Sequence, residues 1–158
     1  MGCPYSGDVD PKLVRNLTDQ LLDMGCYEVS LGDTIGTGTP EKTRHLLEHF
    51  SDVDINLLAA HFHDTGNTAL ENLLVALEFG ISAIDCSVGG LGGCPYAKKV
   101  VGNVCTENVV YMLENGLGEW FFLFLLFLGI NTGIDLQKLV REAEWICKKV
   151  DRSTEYIF

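Results

Sequence analysis

Basic residues are scarce in this chain of 158 residues: 11 Lys and Arg stand against 22 Asp and Glu, a formal net charge of −11. Such a surface repels nucleic acid and anionic membranes, so neither is expected as a partner. No C-x-x-C pair exists among the six cysteines, Cys3, Cys26, Cys86, Cys94, Cys105 and Cys147. Their scatter through helix-like, strand-like and loop-like segments fits a reduced compartment better than a disulfide scaffold, and it argues against a structural zinc site. A targeting peptide is not visible, and the first residues read as the middle of a domain rather than its beginning. Long apolar runs are lacking too. The longest, residues 120–128, falls well short of the ~20 residues that cross a bilayer.

What is present is a soluble globular mix, 47% hydrophobic and 21% charged, long enough for one domain with a core. Strand and helix patterns alternate. Residues 11–24 read as a helix with Asp10 as N-cap, Pro11 at the first turn, and Leu13, Leu17, Leu21 and Met24 at helical spacing. A strand at residues 27–31 follows, then a helix starting at Thr39-Pro40-Glu41. Residues 56–61 read as a buried strand, 69–79 as a helix stopped by Gly80, and 82–86 as a third strand. Helices at residues 106–115 and from Asp135 onward complete the pattern. In the last, Leu136, Leu139, Val140, Ala143, Ile146 and Cys147 form one apolar stripe, read as core packing. Repeated strand–loop–helix units imply parallel strands with helical crossovers, hence an α/β fold. Periodicity leaves a doubly wound sheet and a (β/α)8 barrel both open. A complete barrel takes about 250 residues, so this length would supply only part of one.

Three loops carry residues with chemical potential. His61-Phe62-His63-Asp64-Thr65 closes the second strand, where residues i and i+2 face one side and both imidazoles could reach one metal ion. Carboxyl ends of strands are where active sites lie in such folds, although two histidines also fall there by chance. Gly89-Gly90-Leu91-Gly92-Gly93-Cys94-Pro95-Tyr96 suggests a mobile loop near a ligand. Cys94 at its tip could be a proton donor, a nucleophile or an inert thiol. No Gly-Lys-Ser/Thr element follows, which disfavours a phosphate cradle. Asp33, Thr34 and Asn103 also sit in strand-end loops, where turn hydrogen bonding is the plainer use of each. An Asn carboxamide oxygen is nevertheless an adequate ligand for a hard cation. His45 and His49, four apart on a helix, read as a solvated face.

GCPYSG at residues 2–7, MGCYEVSLGDTIGTGTP at 24–40, HFHDT at 61–65, GGLGGCPYA at 89–97 and GNVCTENVVYML at 102–113 resemble successive blocks of the hydroxymethylglutaryl-CoA lyase family. Their order and approximate spacing agree with that family over nearly the whole chain. The H-x-H element is shared with isopropylmalate and homocitrate synthases, whereas the glycine-rich cysteine loop is specific to the lyases. The resemblance implies the C-terminal part of a TIM (β/α)8 barrel, with residues 1–158 as one partial domain of the pyruvate carboxyltransferase type. It implies cleavage of 3-hydroxy-3-methylglutaryl-CoA to acetoacetate and acetyl-CoA, in leucine degradation and ketone-body formation. It also implies Mg²⁺ or Mn²⁺ as cofactor, an acyl-CoA substrate, a homodimer, and a mitochondrial matrix location (peroxisomal or cytosolic as alternatives). Carried over by motif, His61, His63 and Asn103 would be metal ligands, Cys94 the loop cysteine of acid/base chemistry, and Asp33 a polar residue near the substrate.

Three departures from the family pattern stand out. The strand bearing an Arg-Asp pair, in which the Asp binds metal and the Arg stabilises the enolate, is not in this sequence. The Tyr-Gly-Gln after H-x-H-D-T is Gly66-Asn67-Thr68 here. An almost wholly apolar insertion occupies residues 119–129. This chain alone is therefore expected to be inactive. A related metal-dependent acyl-CoA condensing enzyme and a non-catalytic remnant are the alternatives.

Overall fold

The computed structural model describes residues 2–93, 102–116, 129–154 and 156–158. Cys94 and the apolar run at 120–128 lie outside the described residues. Among the described residues, no helix is long and apolar enough to cross a membrane.

A short antiparallel hairpin opens the chain, β1 (Gly2–Cys3) against β2 (Gly7–Asp8). Helix α1 (Pro11–Asp23) starts as the sequence implies, with the Asp10 carboxylate accepting from Lys12 N at 2.9 Å. The apolar residues that signal this helix are not its buried face. Leu13, Leu17 and Met24 are exposed, while Thr18 is buried and its hydroxyl donates to Val14 O at 3.0 Å. Spacing identifies a helix, but which side is covered depends on the neighbours it meets.

Strands β3 (Val29–Asp33), β4 (Leu58–Phe62) and β5 (Ala83–Asp85) form one parallel sheet in the order β3-β4-β5. They start within two residues of the positions read from sequence. Helices α2 (Pro40–Glu48) and α3 (Ala69–Glu78) are the crossovers. Leu46, Leu47, Phe50, Leu58, Leu73 and Ile81 pack as their apolar core. Burying such side chains contributes about 1.5–3 kcal/mol each. Burial alternates along β3: Val29, Leu31 and Asp33 are buried, Ser30 and Gly32 exposed. The opposite, open face of the sheet therefore carries small and polar groups.

Residues up to Asp85, with Gly92, Gly93, Gly102 and Asn103, make one compact unit. Cys86–Leu91 and the described residues from Val104 onward make a second. In the second, α4 (Thr106–Asn115) and α5 (Leu136–Lys149) pack with a 3₁₀ turn at Val88–Gly90. Of the α5 stripe, Ala143 and Cys147 are fully buried, while Leu136, Leu139, Val140 and Ile146 are only half-buried. Gly89 in that turn has φ +63°, and a Cβ on it would lie 2.4 Å from Cys147 Sγ.

Candidate functional site

The parallel register aligns Gly32, His61 and Asp85 across the three strands. His63 lies one residue beyond the end of β4, on the same side as His61. Their ring centroids are 5.2 Å apart, with planes tilted by 56°. An isolated antiparallel bridge pairs His63 with Asn103, and Asp64 N donates to Gly102 O at 3.1 Å. Two backbone contacts thus carry Asn103 to the strand end where the imidazoles sit.

The His63 imidazole is held through Nδ1, and His61 Nδ1 faces a carboxylate. His63 Nδ1 lies 3.1 Å from Asp33 O. A carbonyl only accepts, so that nitrogen carries the proton and Nε2 keeps its lone pair. His61 Nδ1 lies 3.4 Å from Asp85 Oδ2, an ion-pair distance longer than an ordinary hydrogen bond. Metal-binding imidazoles characteristically donate the other ring N–H, as His63 does here. Two imidazole nitrogens and a carboxamide oxygen form a mixed N/O set that fits Mn²⁺ or Mg²⁺ better than a thiophilic ion. Among the described residues, no group of three or more His, Cys, Asp and Glu side chains that could hold a metal ion gathers.

Asp33 is completely buried at the end of β3. Its Oδ2 accepts from Gly38 N at 2.7 Å, the turn bond expected of an Asp in such a loop. Its Oδ1 has no hydrogen-bond partner among the described residues. A buried, unsatisfied carboxylate oxygen is costly and marks a group with capacity for a ligand. The turn is tight because Gly36, at φ +63°, passes where a Cβ would come within 2.8 Å of His63 O. Gly92, at φ +98°, similarly leaves room for the Asn103 amide, 2.6 Å from where its Cβ would be. Cys94 lies outside the described residues.

Several contributing residues escaped the sequence reading. Asp64 caps α3: its Oδ1 accepts from Ala69 N at 3.0 Å, while Thr68 makes no side-chain cap bond. Asn67 supplies the left-handed step before it, φ +54°. Asp85 and Ser30 on the open face were also missed, although Asp85 ends its strand much as His61 nearly ends its own. In the second unit, Glu107 is fully buried and both its oxygens accept from Gly89 N, at 3.2 and 3.0 Å. It also accepts from the Cys105 thiol. Burial, helped by the Glu107 carboxylate, pushes that thiol up to about 12. Cys105 is therefore a protonated donor at neutral pH rather than a nucleophile.

Consecutive parallel strands with helical crossovers, bearing polar groups at their carboxyl ends, form part of a (β/α)8 barrel. The HMGL-like family profile matches residues 1–146, and the chain belongs to that family. It is 49% identical over 155 residues to mouse mitochondrial hydroxymethylglutaryl-CoA lyase, covering 98% of this chain and 44% of that protein. The crystal structure of hydroxymethylglutaryl-CoA lyase from Pseudomonas aeruginosa superposes with a TM-score of 0.83 at 48% identity, over 97% of this chain and 47% of that one. An HMG-CoA lyase from Acinetobacter baumannii, in complex with coenzyme A and 3-methylmalate, gives a TM-score of 0.83 at 33% identity, again over 97% and 47%. The chain thus spans less than half the length of the relatives it matches.

Proposed function

We propose that this chain is the metal-binding and loop-bearing part of a hydroxymethylglutaryl-CoA lyase, a carbon–carbon lyase acting on an acyl-CoA. The observation that carries the reading is the gathering of His61, His63 and Asn103 at one strand end, with the His63 ring held through Nδ1. The coenzyme A held by the Acinetobacter relative supports an acyl-CoA substrate.

In this reading His61, His63 and Asn103 hold a divalent cation, Mg²⁺ or Mn²⁺. When bound, such an ion supplies Lewis-acid stabilisation of charge on the substrate's tertiary hydroxyl oxygen. In the same reading Asp33, whose Oδ1 has no hydrogen-bond partner among the described residues, would be the polar residue near the substrate. As the C2–C3 bond breaks, the tertiary hydroxyl gives its proton to a base and its oxygen becomes the acetoacetate carbonyl. The bond's electron pair passes to the acetyl-CoA carbon, which would take a proton from the Cys94 thiol. Acid–base groups of this kind contribute about 10²–10⁴-fold. In this reading residues 1–158 belong to one partial barrel domain of a protein that works as a homodimer, in the mitochondrial matrix or, since the relatives include both mitochondrial and cytoplasmic lyases, in the cytosol.

The test is a chimera joining the preceding half of the mouse mitochondrial enzyme to this chain. Metal-dependent release of acetoacetate from hydroxymethylglutaryl-CoA is expected from the chimera and not from residues 1–158 alone. A folded chimera that binds Mn²⁺ but instead condenses acetyl-CoA with a 2-oxoacid would make the condensing enzyme the right reading.

A further inference from the structure

We propose that Asp85, braced by Ser30, is a positioning residue. It fixes His61 as the Nδ1–H tautomer and presents the ring's Nε2 on the side shared with His63. The inference rests on the metal-site reading above and names the group that orients one of its ligands.

The register puts Asp85 directly beside His61 on the neighbouring parallel strand, so both side chains leave the sheet on its open face. Ser30 lies on that face of β3, two residues before Gly32, the register partner of His61. The Ser30 hydroxyl donates to Asp85 Oδ2 at 2.6 Å, and His61 Nδ1 approaches the same oxygen at 3.4 Å. Gly32 adds no side chain between them, and a Cβ there would meet nothing within 4 Å. The carboxylate is thereby held from one side while it faces the imidazole on the other.

As a stabilising ion pair this contact is worth little, because the His61 and Asp85 side chains are 33% and 51% exposed. Its consequence is orientation. Asp85 Oδ2 faces His61 Nδ1 at ion-pair distance, so the ring presents Nε2 on the side away from Asp85 and Nδ1 is the nitrogen that the carboxylate can pair with as acceptor. The His63 ring reaches the same state through a different acceptor, the Asp33 carbonyl. Two unrelated acceptors that leave the same nitrogen available on adjacent rings are what a shared ligand on that side requires.

Long-range ¹H–¹⁵N spectra of the chain, with His61 assigned by loss of its signals in His61→Gln, read the tautomer without any metal present. His61 is expected as Nδ1–H in the unmodified chain and as a tautomer mixture in Asp85→Ala, with Ser30→Ala in between. Mn²⁺ affinity, read by the loss of the free-ion paramagnetic signal, is expected to fall roughly 10–100-fold in Asp85→Ala. An Nε2–H tautomer in the unmodified chain overturns the proposal, even if Asp85→Ala fails to fold. Unchanged ring-nitrogen shifts in a folded Asp85→Ala overturn it as well. Failure of the unmodified chain to bind Mn²⁺ sinks the metal reading instead, because the nitrogen shifts decide the tautomer on their own.

Discussion

At the scale of single residues, the candidate site depends on atoms that are absent as much as on those present. Gly92 is left-handed, and its missing Cβ leaves room for the Asn103 amide. Gly92→Ala should cost about 1 kcal/mol from backbone strain alone. It should also turn the amide away and weaken Mn²⁺ binding roughly tenfold, as displaced ligands do. Calorimetry on the folded variant checks this, and undiminished affinity would remove Asn103 from the ligand set. Cys105 carries a pH prediction. Its folded value, about 12, stands above the ordinary thiol value of 9.0 because burial and Glu107 disfavour the thiolate. The protonated thiol's contribution to stability is thus complete below about pH 9 and lost as pH rises towards 12. The gap in melting temperature between the parent and Cys105→Ala should shrink over that window. Iodoacetamide at pH 8 should label exposed Cys26 well before Cys105.

At the scale of elements, α3 shows how the H-x-H-D-T segment serves structure and site together. Asp64, immediately after His63, caps the helix from five positions upstream through Ala69 N. Thr68, the formal N-cap, instead donates to Gly38 O at 2.7 Å, and Asn72 Nδ2 donates to the same oxygen at 3.0 Å. Gly38 N is the donor to Asp33. A single loop residue therefore joins the start of α3 to the buried carboxylate. Asp64→Ala should destabilise by about 1 kcal/mol, the usual value of an N-cap. Faster amide exchange confined to the first turn of α3 is the expected signature. Uniform acceleration through the sheet would mean that Asp64 does more than cap.

At the scale of the whole molecule, charge sets what the chain meets. A net charge of −11 and a pI near 4.6 predict retention on an anion exchanger at pH 7 and passage through heparin. Heparin binding at moderate salt would point to a basic patch that the sequence does not suggest. The same negative charge disfavours the anionic coenzyme A tail unless local groups offset it.

Among the described residues, the sequence by itself determined the five α-helices, the three parallel strands and the family, but not the β1–β2 hairpin or the 3₁₀ turns. It also picked out His61 and His63, because a two-residue spacing at a strand end needs no distant partner to be meaningful. The helix cap at Asp10 was legible for the same reason, and the starts read at Thr39 and Asp135 prove to be caps that also bond backbone within three residues. Only the tertiary structure decided which face of α1 is covered, since periodicity contains no information about neighbours. It also decided that Asp33 serves a turn with one oxygen and leaves the other without a partner among the described residues. The pairing of Asp85 and Ser30 with His61 was equally hidden. Those contacts join three strands, and strand register, set by packing across the sheet, is what brings residues distant in the chain within reach.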